Sequence, residues 1–309
     1  MASSSLRIVT RESPLAMWQA KFVKSALTRL HPGTEIQILG ITTEADQRLE
    51  TSLENLGGKG AFVKELEQAL LNDQADIAVH SMKDVTINMP EGLSVPVIME
   101  REDPRDIMIS TAYRSLEDMP PGARIGTSSL RRRCQLMAIR PDLKILDIRG
   151  NVGTRLRKLE EGDYDALILA AAGVIRLGLL DRITQYFETT QMLPAVAQAA
   201  LGIEIRDDRN EVLEMIAPLR HEPTQQCVNA ERALNRVLGG DCHVPIAAYA
   251  HLDGGEMQMQ ALVGSLNGVD IIRVKGVGSA GDGESLGAEL GRELLEKGAG
   301  DILANISTD

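Results

Sequence analysis

Two short apolar runs, Ala75-Asp76-Ile77-Ala78-Val79-His80 and Ala166-Leu167-Ile168-Leu169, each follow a stretch of helical periodicity and each stop at a junction. Runs this short with no polar face are the pattern of strands buried on both sides. Helices on both faces provide that burial, so the alternation through the first two-thirds of the chain predicts βα units and a largely parallel sheet. The order Gly60, helix, Asp73, Asp76, strand returns about 90 residues later as Gly150, helix, Asp163, Asp165, strand. This echo predicts two similar α/β lobes, and a cleft between two lobes is a favoured place for a ligand.

Local signals fill in the rest. Leu6-Arg7-Ile8-Val9-Thr10 reads as a strand; Ser13 is placed to cap a helix that opens at Pro14, with Arg11 in the junction. Residues 62–71 have helical periodicity. From about residue 217 the pattern changes: Pro218 and Pro223 bracket a linker, a helix spans 225–237, and strands over 244–252, 256–266 and 269–277 are separated by Asp253-Gly254-Gly255 and Asn267-Gly268. Asp-Gly and Asn-Gly are hairpin signals, which predicts a three-stranded antiparallel meander. A Gly-rich loop over 276–283 and a helix over 285–297 complete it. At 309 residues the chain has room for two or three domains. The expected class is α/β: two lobes plus a small C-terminal α+β domain. The expected domains are 1–99 with 200–217, 100–199, and 218–309.

Between residues 124 and 158 ten basic residues meet two acidic ones, Asp142 and Asp147, in a chain whose net charge is −11. Such a chain repels nucleic acid and anionic membranes as a whole, and aromatics at 3% leave few stacking platforms for single strands. Most basic runs are solvated helix faces, but arginine forks at strand-to-helix junctions also suit carboxylates and phosphates. Cys134, Cys227 and Cys242 are widely spaced and make neither a disulfide framework nor a zinc pattern. No apolar run reaches the ~20 residues of a membrane span, and residues 1–7 hold no apolar stretch. The expectation is a cytoplasmic protein without nucleic-acid, membrane or metal partners.

In Gly126-Thr127-Ser128-Ser129-Leu130-Arg131-Arg132-Arg133, helix N–H groups, hydroxyls and guanidinium forks converge on one junction, the makings of an anion site. Capping alone explains a serine; it does not explain three arginines at the positive end of a helix dipole. Arg149-Gly150-Asn151-Val152-Gly153-Thr154-Arg155 repeats the arrangement, with glycines that permit close backbone approach. Lys83-Asp84 sets a cation beside a carboxylate at the end of a buried strand, where an ordinary surface pair competes with an acid that meets a cationic intermediate or moves a proton. His80 reads as a packed strand residue, and Cys134 and Cys227 as core. Cys242, in a loop before a strand, reads as an accessible nucleophile.

Together these segments resemble the porphobilinogen deaminase family over essentially the whole chain. The resemblance is carried by Thr10-Arg11-Glu12-Ser13-Pro14-Leu15-Ala16, Gly57-Gly58-Lys59-Gly60, the 76–84 segment, Glu102-Asp103-Pro104-Arg105-Asp106, the 126–132 and 149–155 segments, and Cys242-His243-Val244-Pro245. It implies lobes like those of periplasmic binding proteins, the first completed by a segment that follows the second, and a monomer. It implies a dipyrromethane cofactor on a thioether to Cys242, and head-to-tail condensation of four porphobilinogen units, with loss of ammonia, to hydroxymethylbilane. The growing oligopyrrole is a polyanion. On this resemblance Asp84 is the catalytic residue, stabilising the cationic azafulvene and moving protons. Lys83, Ser81, Thr127, Ser128, Ser129, Arg131 and Arg132 hold the cofactor; Arg11, Ser13, Arg149, Arg155, Arg176 and Gln198 hold substrate; Lys59 lies on a loop over the cleft.

The chain departs from the family pattern in three places. Thr43-Glu44-Ala45-Asp46 stands where the family has Thr-Arg-Gly-Asp, Val196-Ala197-Gln198-Ala199-Ala200 where it has Val-Gly-Gln-Gly-Ala, and Asp241 where it has glycine. Alanine tolerates positive φ poorly, so the first two stiffen a hinge; Asp241 disfavours the Cys242 thiolate. A two-lobed anion-binding protein without catalysis is the competing reading, with a reversible ligand and an unmodified cysteine.

Overall fold

Arg7 opens the first strand and is tied to Asp76, which precedes a second: the Arg7 backbone N–H and guanidinium both donate to the Asp76 carboxylate, and the Asp76 N–H returns a bond to the Arg7 carbonyl at 2.9 Å. In the computed structural model, which describes residues 5–43, 63–240 and 244–306, this brace sets the parallel pairing of β1 (Ser5–Arg11) with β3 (Ile77–Ser81). Between them run α1 (Pro14–Leu30), β2 (Glu35–Ile41) and α2 (Lys64–Leu71). Ser13 caps α1 by accepting from the Ala16 N–H, with Pro14 at the first helical position. β4 (Leu93–Ile98) follows.

The chain divides into two compact units, Met1–Arg101 with Ala200–Gln225, and Glu102–Ala199 with Gln226–Asp309. The first unit is built on a five-stranded sheet of order β2-β1-β3-β10-β4, in which β10 (Leu201–Arg206), followed by the helix α6 (Asn210–Ile216), lies antiparallel to both neighbours. Leu6, Ile8, Ile77, Val79, Leu201 and Ile203 meet Ala20, Val23 and Leu27 of α1 on one face. On the other, Val9 and Ala78 meet Leu66, Ala69 and Leu70 of α2. Alternate residues of one strand thus enter two cores, which is why these strands read as unbroken apolar runs.

The second unit repeats this plan with β5 (Asp106–Ile109), β6 (Arg124–Gly126), α3 (Leu130–Ile139), β7 (Lys144–Leu146), α4 (Val152–Glu160), β8 (Ala166–Ala170), α5 (Ala171–Arg176) and β9 (Gln185–Phe187). Its order is β7-β6-β8-β5-β9, again with two parallel pairings and two antiparallel ones. Arg124 and Asp165 reproduce the brace, with the Arg124 N–H and guanidinium on the Asp165 carboxylate and a return bond of 2.8 Å. The echo of Asp76 by Asp165 therefore has a cause: each ties the start of a central strand to its neighbour. Both sheets are mixed rather than largely parallel, because in each a strand that enters from outside the βα run lies in reverse.

The same unit holds the C-terminal sheet, a meander of β11 (Ile246–Asp253), β12 (Glu256–Gly264) and β13 (Ile271–Ser279). It is covered by α7 (Glu222–Leu238), α8 (Gly283–Glu296) and α9 (Ala299–Ile306), with Leu234, Met257, Met259, Leu290 and Leu294 in the core. The expected Gly-rich loop is instead the end of β13. Gly276 sits under α8, where a Cβ would come within 2.9 Å of Leu286, so its glycine answers helix–sheet packing and not a turn. Gly268 does serve a turn: its φ is +72°, and a Cβ would strike the Ala138 backbone. Among the described residues no helix is long and apolar enough to cross a membrane.

Candidate functional site

At the end of β3 the chain tightens into a single 3-10 turn, Met82–Asp84, held by the bond from the Met82 N–H to the Ala200 carbonyl. This turn brings Asp84 to the surface beside the end of β1 and the start of α1. Arg11, Ser13, Gln19, His80, Ser81 and Asp84 line one cavity in the first unit. The Gln19 side chain donates to the Ser81 Oγ at 2.8 Å and fixes that wall. Asp84 is exposed and makes no ion pair with another described residue, so its carboxylate stays available to an incoming cation or N–H group. Lys83 is half-buried on the same turn.

The equivalent end of the second unit's sheet is built around a buried carboxylate. Asp106 begins β5 with no exposure; it accepts from Arg131 at 2.5 Å, from Arg132 Nε and Nη2 at 3.1 and 2.8 Å, and from Gln198 Nε2 at 3.0 Å. Burial pushes this carboxyl up, but the two guanidiniums outweigh it and hold the group well below the usual carboxylate range. Burial lowers Arg132 against Asp106. One negative charge against two positive ones leaves an excess cation in a dry site, and the buried Nε of Arg131 has no hydrogen-bond partner among the described residues. A buried donor left unsatisfied costs about 1–3 kcal/mol. A carboxylate is the acceptor that the geometry and the charge both call for.

The hydroxyls of this junction are partly engaged. Ser129 caps α3 by accepting from the Arg132 N–H, and the Thr127 Oγ1 accepts from the Ser129 N–H. Ser128 donates to the Ile148 carbonyl at 2.7 Å and accepts from its N–H at 3.0 Å, stapling the junction to the strand beside it. Past that staple, Gly150 turns with φ +107°, Asn151 caps α4, and Arg155 Nε donates to the Gly150 carbonyl. Gly153 needs no such freedom. The half-buried Arg149 guanidinium has no partner among the described residues. Arg176, at the end of α5, is buried; it donates to the Ala199 carbonyl at 2.6 Å, and desolvation brings it down to about 10 despite Glu102.

Gln198 is fully buried, its amide shared by the Pro104 carbonyl, Asp106 and Arg131. It is presented by two left-handed residues, Ala197 at φ +58° and Ala199 at φ +75°. These are the positions where alanine replaces the expected glycine. Such a conformation costs roughly 1–2 kcal/mol per non-glycine residue. The loop is held against that strain by Glu231, whose buried carboxylate accepts from the Ala197 and Ala250 N–H groups.

The predicted residues thus fall into two groups: Arg11, Ser13, Ser81 and Asp84 around one cavity, and Arg131, Arg132 and Gln198 around Asp106. Lys59, Asp241 and Cys242 lie outside the described residues. Cys134 and Cys227 are buried, and burial pushes the Cys134 thiol up to about 11, away from reactivity. Asp106 was missed as a site residue because the charge window from 124 to 158 excludes it. Asp165, the partner of Arg124, is missed for the same reason. Gln19 gave no signal beyond its place on the first helix.

Solved structures similar to the chain include the periplasmic aliphatic sulphonate binding protein from Escherichia coli, at 17% identity and TM-score 0.42, covering 76% of this chain and 70% of that one. A nutrient binding protein from Burkholderia cenocepacia bound to methionine is similar at 12% identity and TM-score 0.43, covering 68% and 90%. A Salmonella typhimurium periplasmic binding protein with high arginine specificity gives 13%, 0.41, 70% and 92%. Two family models match in order along the chain: "Porphobilinogen deaminase, dipyromethane cofactor binding domain" over residues 6–214, and "Porphobilinogen deaminase, C-terminal domain" over residues 225–296. Spanning the braces, the Asp84 turn and the arginine pair together, these matches establish that the chain belongs to the porphobilinogen deaminase family, which carries out hydroxymethylbilane synthesis in tetrapyrrole biosynthesis on a dipyrromethane cofactor.

Proposed function

We infer that this chain, as a monomeric cytoplasmic transferase, condenses porphobilinogen units head to tail with Asp84 as its catalytic carboxylate and a cofactor attached through a thioether to Cys242. The domains are taken as 1–99 with 200–217, 100–199, and 218–309. The unpartnered, buried Nε of Arg131 carries the reading, because it is a built donor that lacks an acceptor. When bound, dipyrromethane supplies acetate and propionate carboxylates and a pyrrole carbon from which the product grows. Arg131 and Arg132 would receive those carboxylates beside Thr127, Ser128 and Ser129, with Lys83 and Ser81 as further cofactor-holding residues, while Asp106 keeps both guanidiniums aimed and prevents two bare cations from repelling each other in a dry site.

Arg11, Ser13, Arg149, Arg155, Arg176 and Gln198 hold porphobilinogen and the growing oligopyrrole in this reading, Gln198 also orienting the Arg131–Arg132 pair; Lys59 lies outside the described residues. Asp84 makes no ion pair among the described residues and shares a cavity of the first unit with the cation Arg11. A carboxylate there lowers the energy of the positive charge that develops on the substrate as ammonia departs, accepts a pyrrole N–H, and moves a proton.

The test is the intact mass of the purified protein, with a digest that locates any adduct. An added mass equal to two deaminated porphobilinogen units on Cys242 supports the assignment. An unmodified Cys242 after incubation with porphobilinogen overturns it.

A further inference from the structure

The wall of the Asp84 cavity hides a buried histidine–carboxylate hydrogen bond that the roles above leave unused. His80 lines that cavity, and its Nε2 lies 2.7 Å from Glu204 Oε2. The side chains are only 4% and 1% exposed. In the antiparallel pairing of β3 with β10, His80 faces Gly202, so Glu204 is its diagonal neighbour on the same face of the sheet. That face is the one covered by α2, where the half-buried carboxyl of Glu67 is pushed up by burial and by the charge of Glu204, with His80 opposing. The second oxygen of Glu204 is buried without a hydrogen-bond partner. A packed strand histidine requires none of this, and buried acids are costly to keep.

We propose that His80 and Glu204 form a proton-holding pair behind the Asp84 cavity, in which Glu204 fixes the histidine ring and His80 exchanges a proton with the cavity at Nδ1. Resting on the reaction assigned above, this divides the work. Exposed Asp84 meets the developing positive charge, and buried His80 stores the proton. Each addition breaks one carbon–nitrogen bond, whose electron pair leaves with the ammonia. It also breaks one pyrrole carbon–hydrogen bond, whose pair restores the aromatic ring after the new carbon–carbon bond forms. The proton freed at carbon and the ammonia leave together as ammonium, so nothing is consumed, and the pair holds that proton in between. A carboxylate that accepts from Nε2–H leaves Nδ1 as the basic site of the neutral ring. Charged groups on the elements around the pair are Lys64, Glu65 and Glu67 on α2, Arg11 at the end of β1, and Lys83 and Asp84 on the turn, of which Glu67 interacts electrostatically with both His80 and Glu204; β4, on the far side of β10, carries none.

The test uses the full-length protein with His80→Gln, Glu204→Gln and Glu67→Gln. His80→Gln should lower kcat at least tenfold with KM within about twofold, which mere support of the wall would not produce. Removing the negative charge in Glu204→Gln lowers the proton affinity of the ring, so the acid limb of the kcat profile should move to lower pH by on the order of one unit. Glu67→Gln, a half-buried change, should move it in the same direction by less. Histidine-labelled NMR of the free protein should show the His80 midpoint falling in both carboxamide variants. Wild-type kcat and pH profile in cooperatively melting His80→Gln and Glu204→Gln protein, or a His80 midpoint unmoved in Glu67→Gln, overturns the proposal. Absence of porphobilinogen turnover in the unaltered protein would instead overturn the assigned reaction, and the NMR titration still decides the pair.

Discussion

The two five-stranded sheets share strand order, strand sense, an Arg–Asp brace and a serine-capped helix after the first central strand, yet they treat charge in opposite ways at the same end. In the first unit the acid at the strand end, Asp84, is exposed and makes no ion pair among the described residues. In the second the acid Asp106 is sealed in and outnumbered by Arg131 and Arg132. One scaffold therefore holds a single exposed negative charge at one strand end and a buried excess of positive charge at its counterpart. The difference lies in a few residues at the strand ends, while the braces and cores that hold those ends in place are common to both.

The sharpest way to break this comparison is Asp84→Ala. Turnover of porphobilinogen should be lost, by at least about a hundredfold, while circular dichroism and the melting transition stay as in the unaltered protein. Normal turnover would remove the contrast. In the second unit the corresponding change should strike folding instead. Asp106→Ala leaves two buried guanidiniums without a counterion, and denaturant unfolding should show a loss of about 3–5 kcal/mol. The pH dependence has the matching sign. Asp106 is held below the usual carboxylate range in the folded state, so its contribution is present above about pH 4 and is lost as pH falls. Asp106→Asn should flatten the acid end of the stability curve, and an unchanged curve would show that the buried pair is not what titrates.

Smaller effects sharpen the comparison. Ala197→Gly and Ala199→Gly relieve left-handed backbone in the second unit's loop that presents Gln198, and each should raise the unfolding free energy by up to about 1 kcal/mol, less the added freedom of glycine in the unfolded chain. A loss of stability in both would mean that the strain is not carried there. The smallest effects are expected from the braces. Arg7→Ala and Arg124→Ala remove partly exposed arginines and should lower the melting temperature slightly and similarly, because the two braces do the same job. Unequal shifts would show that the likeness of the two lobes stops at their geometry.

Most strands and helices were legible because their signals are local: unbroken apolar runs, Ser13 and Ser129 before helical periodicity, and Asp-Gly and Asn-Gly between strands. Asp84, the arginine pair and Gly150 were legible for the same reason, each sitting at a junction visible in a few residues. Pairing across long separations was not. The reversal of β5 and β10, the pairing of Arg131 and Arg132 with Asp106, and the bond from His80 to Glu204 across 124 positions all depend on which strand enters the sheet. The three successive arginines look unfavourable at a helix start because the counterion of Arg131 and Arg132, Asp106, lies outside the basic run from 124 to 158. Gly276 shows the reverse limit, where a residue that reads as a turn answers to a helix packed above it.

The position of β10 has a consequence for how the protein comes off the ribosome. The interior of the first sheet needs residues 201–206 between β3 and β4, whereas the five strands of the second sheet all lie within residues 106–187. The lobe encoded in the middle of the chain can therefore close before the lobe encoded first. At about 5–20 residues per second of synthesis, the N-terminal strands wait on the order of 5–20 seconds with an open edge, so the nascent chain is most exposed to mispairing at the half that is already made.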